Sequence, residues 1–374
     1  MAQINLSSEY DKRIAERLKM TMKTEIAVNH NYKFDGEDTV HITSVDTMPM
    51  NNYVRSGSFR YGTPADIGDT EQVVTLANDR SFTGIIDKGD VQDQKIQKAA
   101  SDCMRRQTDE VINPELETYR LGVMSSKPGY IAVDTNLATI SGGATHIYAD
   151  ILEMTADATN HLAPENGRVL FVTPQVIAML LQSDGKFLQY GQPSQEMKVK
   201  GIVGELDGCQ VVKIPDAYFP SGLQVLMAHK DATVAVEKLK DLVIHENPPG
   251  INGNLLEGRI RYDAFVLDTK VPLLGCIYSA GTLLAKPVFT DGGVGTGVTI
   301  SSVTGVTFKY TVDGSDPRDS RTAATYSGAI GASWLAANGS TTIKAVATKS
   351  GSITSTVQEI KVPYAPAFAR NHGA

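Results

Sequence analysis

Basic charge is scarce in this sequence. Lys and Arg total 35 against 42 Asp and Glu in 374 residues, a formal net charge of −7. Gripping nucleic acid takes a basic excess or a dense basic stripe, because affinity comes from neutralising phosphates, and neither is present. Cysteine is scarcer still. Cys103, Cys209 and Cys276 are the only three. They are far apart, odd in number and without CxxC spacing, which argues against a zinc ribbon or a disulfide framework and for free thiols in a reducing compartment. No segment approaches the ~18 consecutive apolar residues of a membrane span. The first residues, MAQINLSSEYDKRIAERLK, are polar where a signal peptide needs an apolar run. These absences predict a product made in the cytoplasm and kept there or released by lysis.

The common catalytic signatures are missing too. There is no GxxxxGK[ST] phosphate loop and no GxSxG elbow, and the glycine run GVGTG (293–297) reads as linker. The seven histidines, His30, His41, His146, His161, His229, His245 and His372, show no HxH or HxxxH spacing for a metal. Asp313, Asp316 and Asp319 could ligate calcium, but DGSDP is better read as a turn built by Asx and glycine chemistry. Glu115 and Glu117 are close in sequence, yet positions i and i+2 of a helix do not share a face. A polysaccharide hydrolase would need two carboxylates flanking a sugar and aromatic platforms, whereas the one tryptophan is Trp334. Asn338-Gly339-Ser340 is a glycosylation sequon without meaning in a cytoplasmic product. We therefore expect no enzyme, no catalytic, metal or cofactor-binding residues, and no cofactor.

What is present is an ordinary folding composition, 41% hydrophobic and 21% charged, long enough for one large or two to three ordinary domains. Residues 1–30 predict an amphipathic helix, with Ser8 and Asp11 as a capping box and Tyr10, Ile14, Leu18, Met22 and Ile26 recurring every fourth residue. Its apolar stripe is thin and needs a surface from elsewhere. Short β-like runs follow at 40–45, 73–76 and 82–86, separated by a long polar stretch carrying Tyr53, Arg55, Arg60 and Tyr61. A long helix is predicted from Asp87 or Asp90 onward, with Ile96, Ala100, Cys103, Gln107 and Val111 on one face and an end or bend at Pro114. The stretch 144–286 reads as mixed α/β. It has a helix over 145–162 presenting Ile147, Ile151, Met154 and Ala158, and the strand RVLFV. Thr173-Pro174 opens the next helix. Strands follow at CQVVKIP, LQVLMAH, TVAVEK and through FVLDTKVPLLGCIYSA. Beyond residue 286 the sequence turns rich in Gly, Ser, Thr and Val, and KYTV, TTIKAVAT and VQEIKV predict a small β-sandwich.

In this order the elements resemble tailed-bacteriophage major capsid proteins of the HK97-like fold. The likeness is carried by NDRSFTGIIDKGDVQD (78–93), EVINPELETYRL (110–121), GRVLFVTPQVIAMLLQS (167–183) and GIVGELDGCQVVKIPD (201–216). KYTVDGSDPRDSRTAATYSGAI and TTIKAVATKSGSITSTVQEIKV resemble the immunoglobulin-like module at the C-terminus of chitobiase-type glycosidases, with a longer insert, GASWLAANGS. The resemblance implies an α+β capsid domain over 1–286 and an Ig-like β-sandwich over 287–364, with a tail at 365–374. Within the capsid domain it implies an N-arm at 1–38 and an extended β-loop at 39–87. The spine helix and peripheral domain would take 88–143 and 241–286, and an axial domain 144–240.

The function implied is a shell subunit assembling into pentamers and hexamers of an icosahedral head around double-stranded DNA, without sequence-specific binding. An encapsulin-type cellular compartment, of the same fold, is the alternative, with a polysaccharide-active enzyme or binding protein as a more distant one. About 30 residues precede the β-loop, too few for a cleaved scaffolding segment, so a separate scaffolding protein and a portal are expected partners. Some family members cross-link through a lysine in the loop; residues 40–86 contain none, and Lys88 sits at the base, so a shell without cross-links is expected. The module, on a flexible linker, would project outward and could bind glycans weakly. The expected location is the virion, assembled in the host bacterial cytoplasm, with no membrane contact.

Overall fold

The computed structural model describes residues 22–32, 39–45, 47, 50, 52–57, 59–61, 67, 69–88, 100–183, 202–292, 297–301, 303–330 and 341–362. The body is built on a six-stranded mixed sheet in the order β4-β11-β8-β5-β7-β6. These strands span Tyr130–Val133 (β4), Arg168–Val172 (β5), Ile202–Leu206 (β6), Cys209–Lys213 (β7), Leu223–His229 (β8) and Gly275–Tyr278 (β11). All five residues of β5 and all seven of β8 are buried. Covering on both faces is why these strands read as continuous apolar runs and not as alternation. The β6–β7 hairpin turns on Asp207 and Gly208, both at positive φ (49° and 72°), the conformation that an Asp-Gly pair favours in two-residue hairpins.

Helices cover this sheet. Helix α4 (Ile147–Asn160) buries Ile147, Ile151, Met154 and Ala158, the face expected from its period. Its C-terminal turn is closed by buried Arg168, whose guanidinium donates to the carbonyl oxygens of Thr155 and Ala163 and to Thr159 Oγ1. Helix α5 (Pro174–Gln182) starts as the sequence predicts, with the Thr173 hydroxyl accepting from Val176 N–H at 3.4 Å and Pro174 in the first turn. Replacing Thr173 by Ala removes that cap and the buried bond from Thr173 Oγ1 to Gln224 Oε1 (2.7 Å). A loss of about 1–2 kcal/mol is expected, read as a lower chemical-denaturation midpoint.

A second sheet, β3-β10-β9, joins Asn78–Asp87 (β3), Thr233–Glu246 (β9) and Gly253–Val266 (β10), all antiparallel. The spine lies across it. Helix α1 (Ala100–Gln107) runs through a π-helical turn (Thr108–Ile112) into α2 (Asn113–Ser126). The sequence predicts an end or bend at Pro114, but the helix continues to Ser126. The wider turn, in which Asn113 N–H reaches back to Thr108 O, falls just ahead of the proline. It re-spaces the backbone where a regular helix would push the ring against a carbonyl. It also shifts the phase. Val111, expected on the inner face, is 41% exposed, and the buried stripe is Met104, Ile112, Leu116, Leu121 and Met124. Ile96 lies outside the described residues. A satellite core of Ile112, Leu116, Ile260 and Tyr262 fixes spine to sheet.

Three further expectations are corrected. The part of the predicted N-terminal helix that the structure describes is a 3-10 turn, Thr24–Ala27, followed by extended chain, with Asn29 bridged to Val234 of β9. Residues 1–21 lie outside the description. The segment expected as one strand through 265–280 is the end of β10, a 3-10 turn (Asp268–Leu273) containing Pro272, then β11. The glycine run read as a linker falls between two paired strands, β12 (Phe289–Asp291) and β13 (Val298–Ile300), with Gly292 N–H donating to Gly297 O, while residues 293–296 themselves lie outside the described residues.

Those two strands pack on the sheet β15-β14-β16-β17, formed by Ala324–Thr325 (β15), Thr307–Thr311 (β14), Thr341–Thr348 (β16) and Gln358–Val362 (β17). Val298, Ile300, Phe308, Ile343, Ala345, Ala347 and Val362 make a core of their own. This is a two-layer β-sandwich. Among the described residues no helix is long and apolar enough to cross a membrane.

Candidate assembly surfaces and the node that joins them

The most exposed apolar chemistry lies on a hairpin, β1 (Thr39–Val45) paired antiparallel with β2 (Asp69–Thr75). Its root is packed, with Ile42 and Val74 against Leu76, Val234 and Phe265. Between the strands Met50 is 97%, Tyr61 83% and Phe59 67% exposed. Tyr53 and Tyr61 meet edge to face, with ring centroids 5.0 Å apart. These large aromatics have no partner surface among the described residues, and a two-stranded ribbon is marginal in water. The strand that follows it, β3, pairs with β10 over its whole length.

The N-terminal segment is anchored on α2. Buried Glu117 accepts the backbone N–H groups of Lys23 and Thr24. Arg120, its side chain 3% exposed, forks to Glu25 Oε1 (2.6 Å) and Glu237 Oε1 (3.2 Å). Burial pushes the Glu117 carboxyl up, against the opposing pull of those backbone donors and of Lys23 and Arg120.

Asp268 is the hub of a third region. Its backbone N–H donates to Gln72 Oε1 of the arm at 3.2 Å, and Gln72 Nε2 donates in turn to Val266 O at 2.8 Å. Its Oδ1 accepts from Lys127, at the end of the spine, at 2.9 Å. Its Oδ2 accepts from Asp316 N–H of the sandwich at 3.4 Å. Lys127 also pairs with Asp319 at 2.5 Å. Arg318 clasps Asp316 (2.6 Å) and donates to Pro128 O (3.2 Å), and Arg321 donates to Thr75 Oγ1 of the arm at 3.2 Å. Burial lowers the affinity of Lys127 for its proton, but Asp268, Asp319 and Asp316 outweigh it and hold the ammonium above its ordinary range. Burial likewise opposes ionisation of Asp316, and Arg318 overrides it, holding that carboxyl low.

The acidic trio of the DGSDP stretch is thus divided among separate partners. Asp313 closes a turn on Ser315 N–H and accepts from Thr322 Oγ1, Asp316 serves Arg318, and Asp319 serves Lys127. Sequence reading missed this node, since nothing local ties SSKPGY or LDTK to DGSDPRDSR. Glu115 and Glu117 point apart, Glu115 to Arg80 and Tyr262 and Glu117 to the N-terminal segment. Cys209 and Cys276 are free and buried, and burial pushes both thiols up to about 12. Trp334, the sequon at 338–340 and His372 lie outside the described residues. No group of three His, Cys, Asp or Glu among the described residues is placed to hold a metal.

A Fn3-associated family model matches residues 298–360. No curated protein matches the chain. Solved structures that it resembles include one of Mycobacterium phage Che8, at 15% identity and a TM-score of 0.57, covering 73% of this chain and 96% of that one. The capsid of cyanophage P-SCSP1u follows at 14% and 0.55, covering 74% and 93%. The mature capsid of bacteriophage PhiM1 matches at 13% and 0.55, covering 74% and 92%. The chain has the HK97-like capsid fold, and its C-terminal sheets are those of an Ig-like sandwich.

Proposed function

We propose that this chain is the major capsid protein of a tailed bacteriophage, a structural subunit that acts by assembly and not by catalysis. The observation that carries the reading is the arm. A packed root, a two-stranded ribbon and an apolar tip without a partner among the described residues suit a hairpin that lies over the next subunit in a closed ring. Repeated around five- and six-fold axes, modest contacts of this kind add up to a shell. The acidic balance suits a wall that encloses double-stranded DNA without reading its sequence. We place residues 144–240 at the ring centres and the sandwich on the outer face, where weak glycan contact is a further proposal. A separate scaffolding protein, a portal and assembly in the host bacterial cytoplasm belong to the same reading.

The test is electron microscopy of the purified protein, alone and with its scaffold co-expressed. Closed shells, rings or tubes are expected. Replacing Tyr53, Phe59 and Tyr61 together by Ser should abolish closed shells while the subunit keeps its thermal transition, because those side chains touch no core. Monomer alone under every condition, or normal shells from the triple variant, would overturn the reading.

A further inference from the structure

The node at Asp268 does more than hold the sandwich in place. The seam beside it already does that: Ile353 N–H donates to Thr282 O at 2.9 Å, Leu284 N–H to Ile353 O at 3.1 Å, and the Ile353 side chain packs against the core of the body. The contacts from Arg321 to Thr75 and from Asp268 N–H to Gln72 are additional, and both end on β2, the strand by which the arm returns to the body. Asp268 therefore bonds arm, spine and sandwich through three different atoms.

Leverage makes this arrangement consequential. The seven-residue strands β1 and β2 extend ~24 Å at ~3.4 Å per residue, so a rotation of ~10° at the root displaces the strand ends by ~4 Å. That is about the spacing between neighbouring strands, enough to miss a docking surface. A two-stranded ribbon cannot resist such a rotation by itself. The groups at the root can, because Lys127 and Arg318 are buried and their ion pairs are little screened by solvent.

We propose that the C-terminal sandwich is a brace in cis for the arm. Its 316–321 loop, clamped to Lys127 and Asp268, fixes the angle at which the hairpin leaves the body. The consequence for shells rests on the assembly reading above. The bracing itself does not, and it is tested on the unassembled subunit.

The experiment is hydrogen–deuterium exchange on the full chain, comparing wild type with the double variant Asp319→Lys, Arg321→Ala. Asp319 is 59% exposed, so its reversal repels Lys127 without entering a core. Exchange within 39–45 and 69–75 is expected to quicken tenfold or more, with 168–172 and 223–229 unchanged. An unchanged hairpin would overturn the proposal, whether or not the sandwich loosens. If the double variant loosens the central sheet as well, Arg321→Ala alone decides, since that side chain reaches the arm and not the buried pairs. Faster exchange confined to 69–75 then supports the brace, and none refutes it. A brace that holds in subunits which never form shells would leave this inference standing and sink the capsid reading separately.

Discussion

Arg120→Ala should be among the most destabilising single substitutions on the spine, costing about 2–3 kcal/mol, less than for a fully buried ion pair because Glu25 and Glu237 are 46% and 32% exposed. The guanidinium is 3% exposed and serves Glu25 and Glu237 at once. It also lies beside Glu117, which is 2% exposed and whose carboxylate holds two backbone N–H groups of the N-terminal segment. Removing the cation takes the ion-pair partner from Glu25 and Glu237, withdraws one of the smaller supports of buried Glu117, and lets the segment 23–30 leave β9. Arg120→Lys keeps the charge but replaces the two separate guanidinium nitrogens that reach Glu25 and Glu237 by a single ammonium nitrogen, so an intermediate loss is expected. Urea denaturation of the two variants gives the ranking. Exchange at the Asn29 and Ala235 amides, bonded to Thr233 O and Asn29 O at 3.0 Å, tests whether the N-terminal segment goes first. An Arg120→Ala protein within 1 kcal/mol of wild type would mean that the fork contributes nothing net.

The contrast between what the sequence conveys and what it conceals follows the range of the interactions. Strands β5, β7 and β8, the apolar face of α4 and the Thr173-Pro174 start are local patterns, complete within about ten residues, and they appear where the sequence puts them. The inner face of the spine was misplaced because one π-turn changes the phase of everything on either side of it. Met22 and Ile26 fit a helical stripe by spacing, yet Met22 packs against the spine–sheet core and Ile26 against the main core. Spacing cannot distinguish one helix face from two separate anchors. The glycine run has the composition of linker and hairpin turn alike; only the pairing of β12 with β13 separates them. The Asp268 node is the extreme case. Its charged members come from three distant stretches, each of which reads as a solvated surface when taken alone.

Asp150 carries the second large prediction, and there the sign can be worked out. It sits in the first turn of α4, where the helix dipole favours a carboxylate. Even so its pKa is raised to about 6, chiefly by burial and then by Asp134 beside it, with Glu153 adding to the rise and His146 opposing it. Asp134 cannot turn away. Its Oδ1 is committed to Asn136 N–H (2.9 Å) and Nδ2 (2.7 Å), and its Oδ2 lies 3.4 Å from His146 Nδ1. Asp150 Oδ2 is buried with no hydrogen-bond partner among the described residues. An acid whose pKa is higher folded than unfolded stabilises the fold below its ordinary value near 3.8, and that contribution is lost as pH rises through about 6. The protein should therefore lose stability at this site between pH 4 and pH 6. The full shift corresponds to about 3 kcal/mol, and discounting for solvent at a partly exposed turn leaves about 1–2 kcal/mol. Asp150→Asn offers Asp134 a permanent donor and removes the second charge, so the variant should exceed wild type by that amount at pH 8 and match it at pH 4. Denaturation midpoints across this range decide the matter. A constant offset at all pH values would assign the effect to packing, and an Asn variant weaker than wild type at pH 8 would show that the ionised carboxylate is satisfied there. The expected outcome would make this first turn of α4 a built-in tension, released below about pH 6 by a single shared proton.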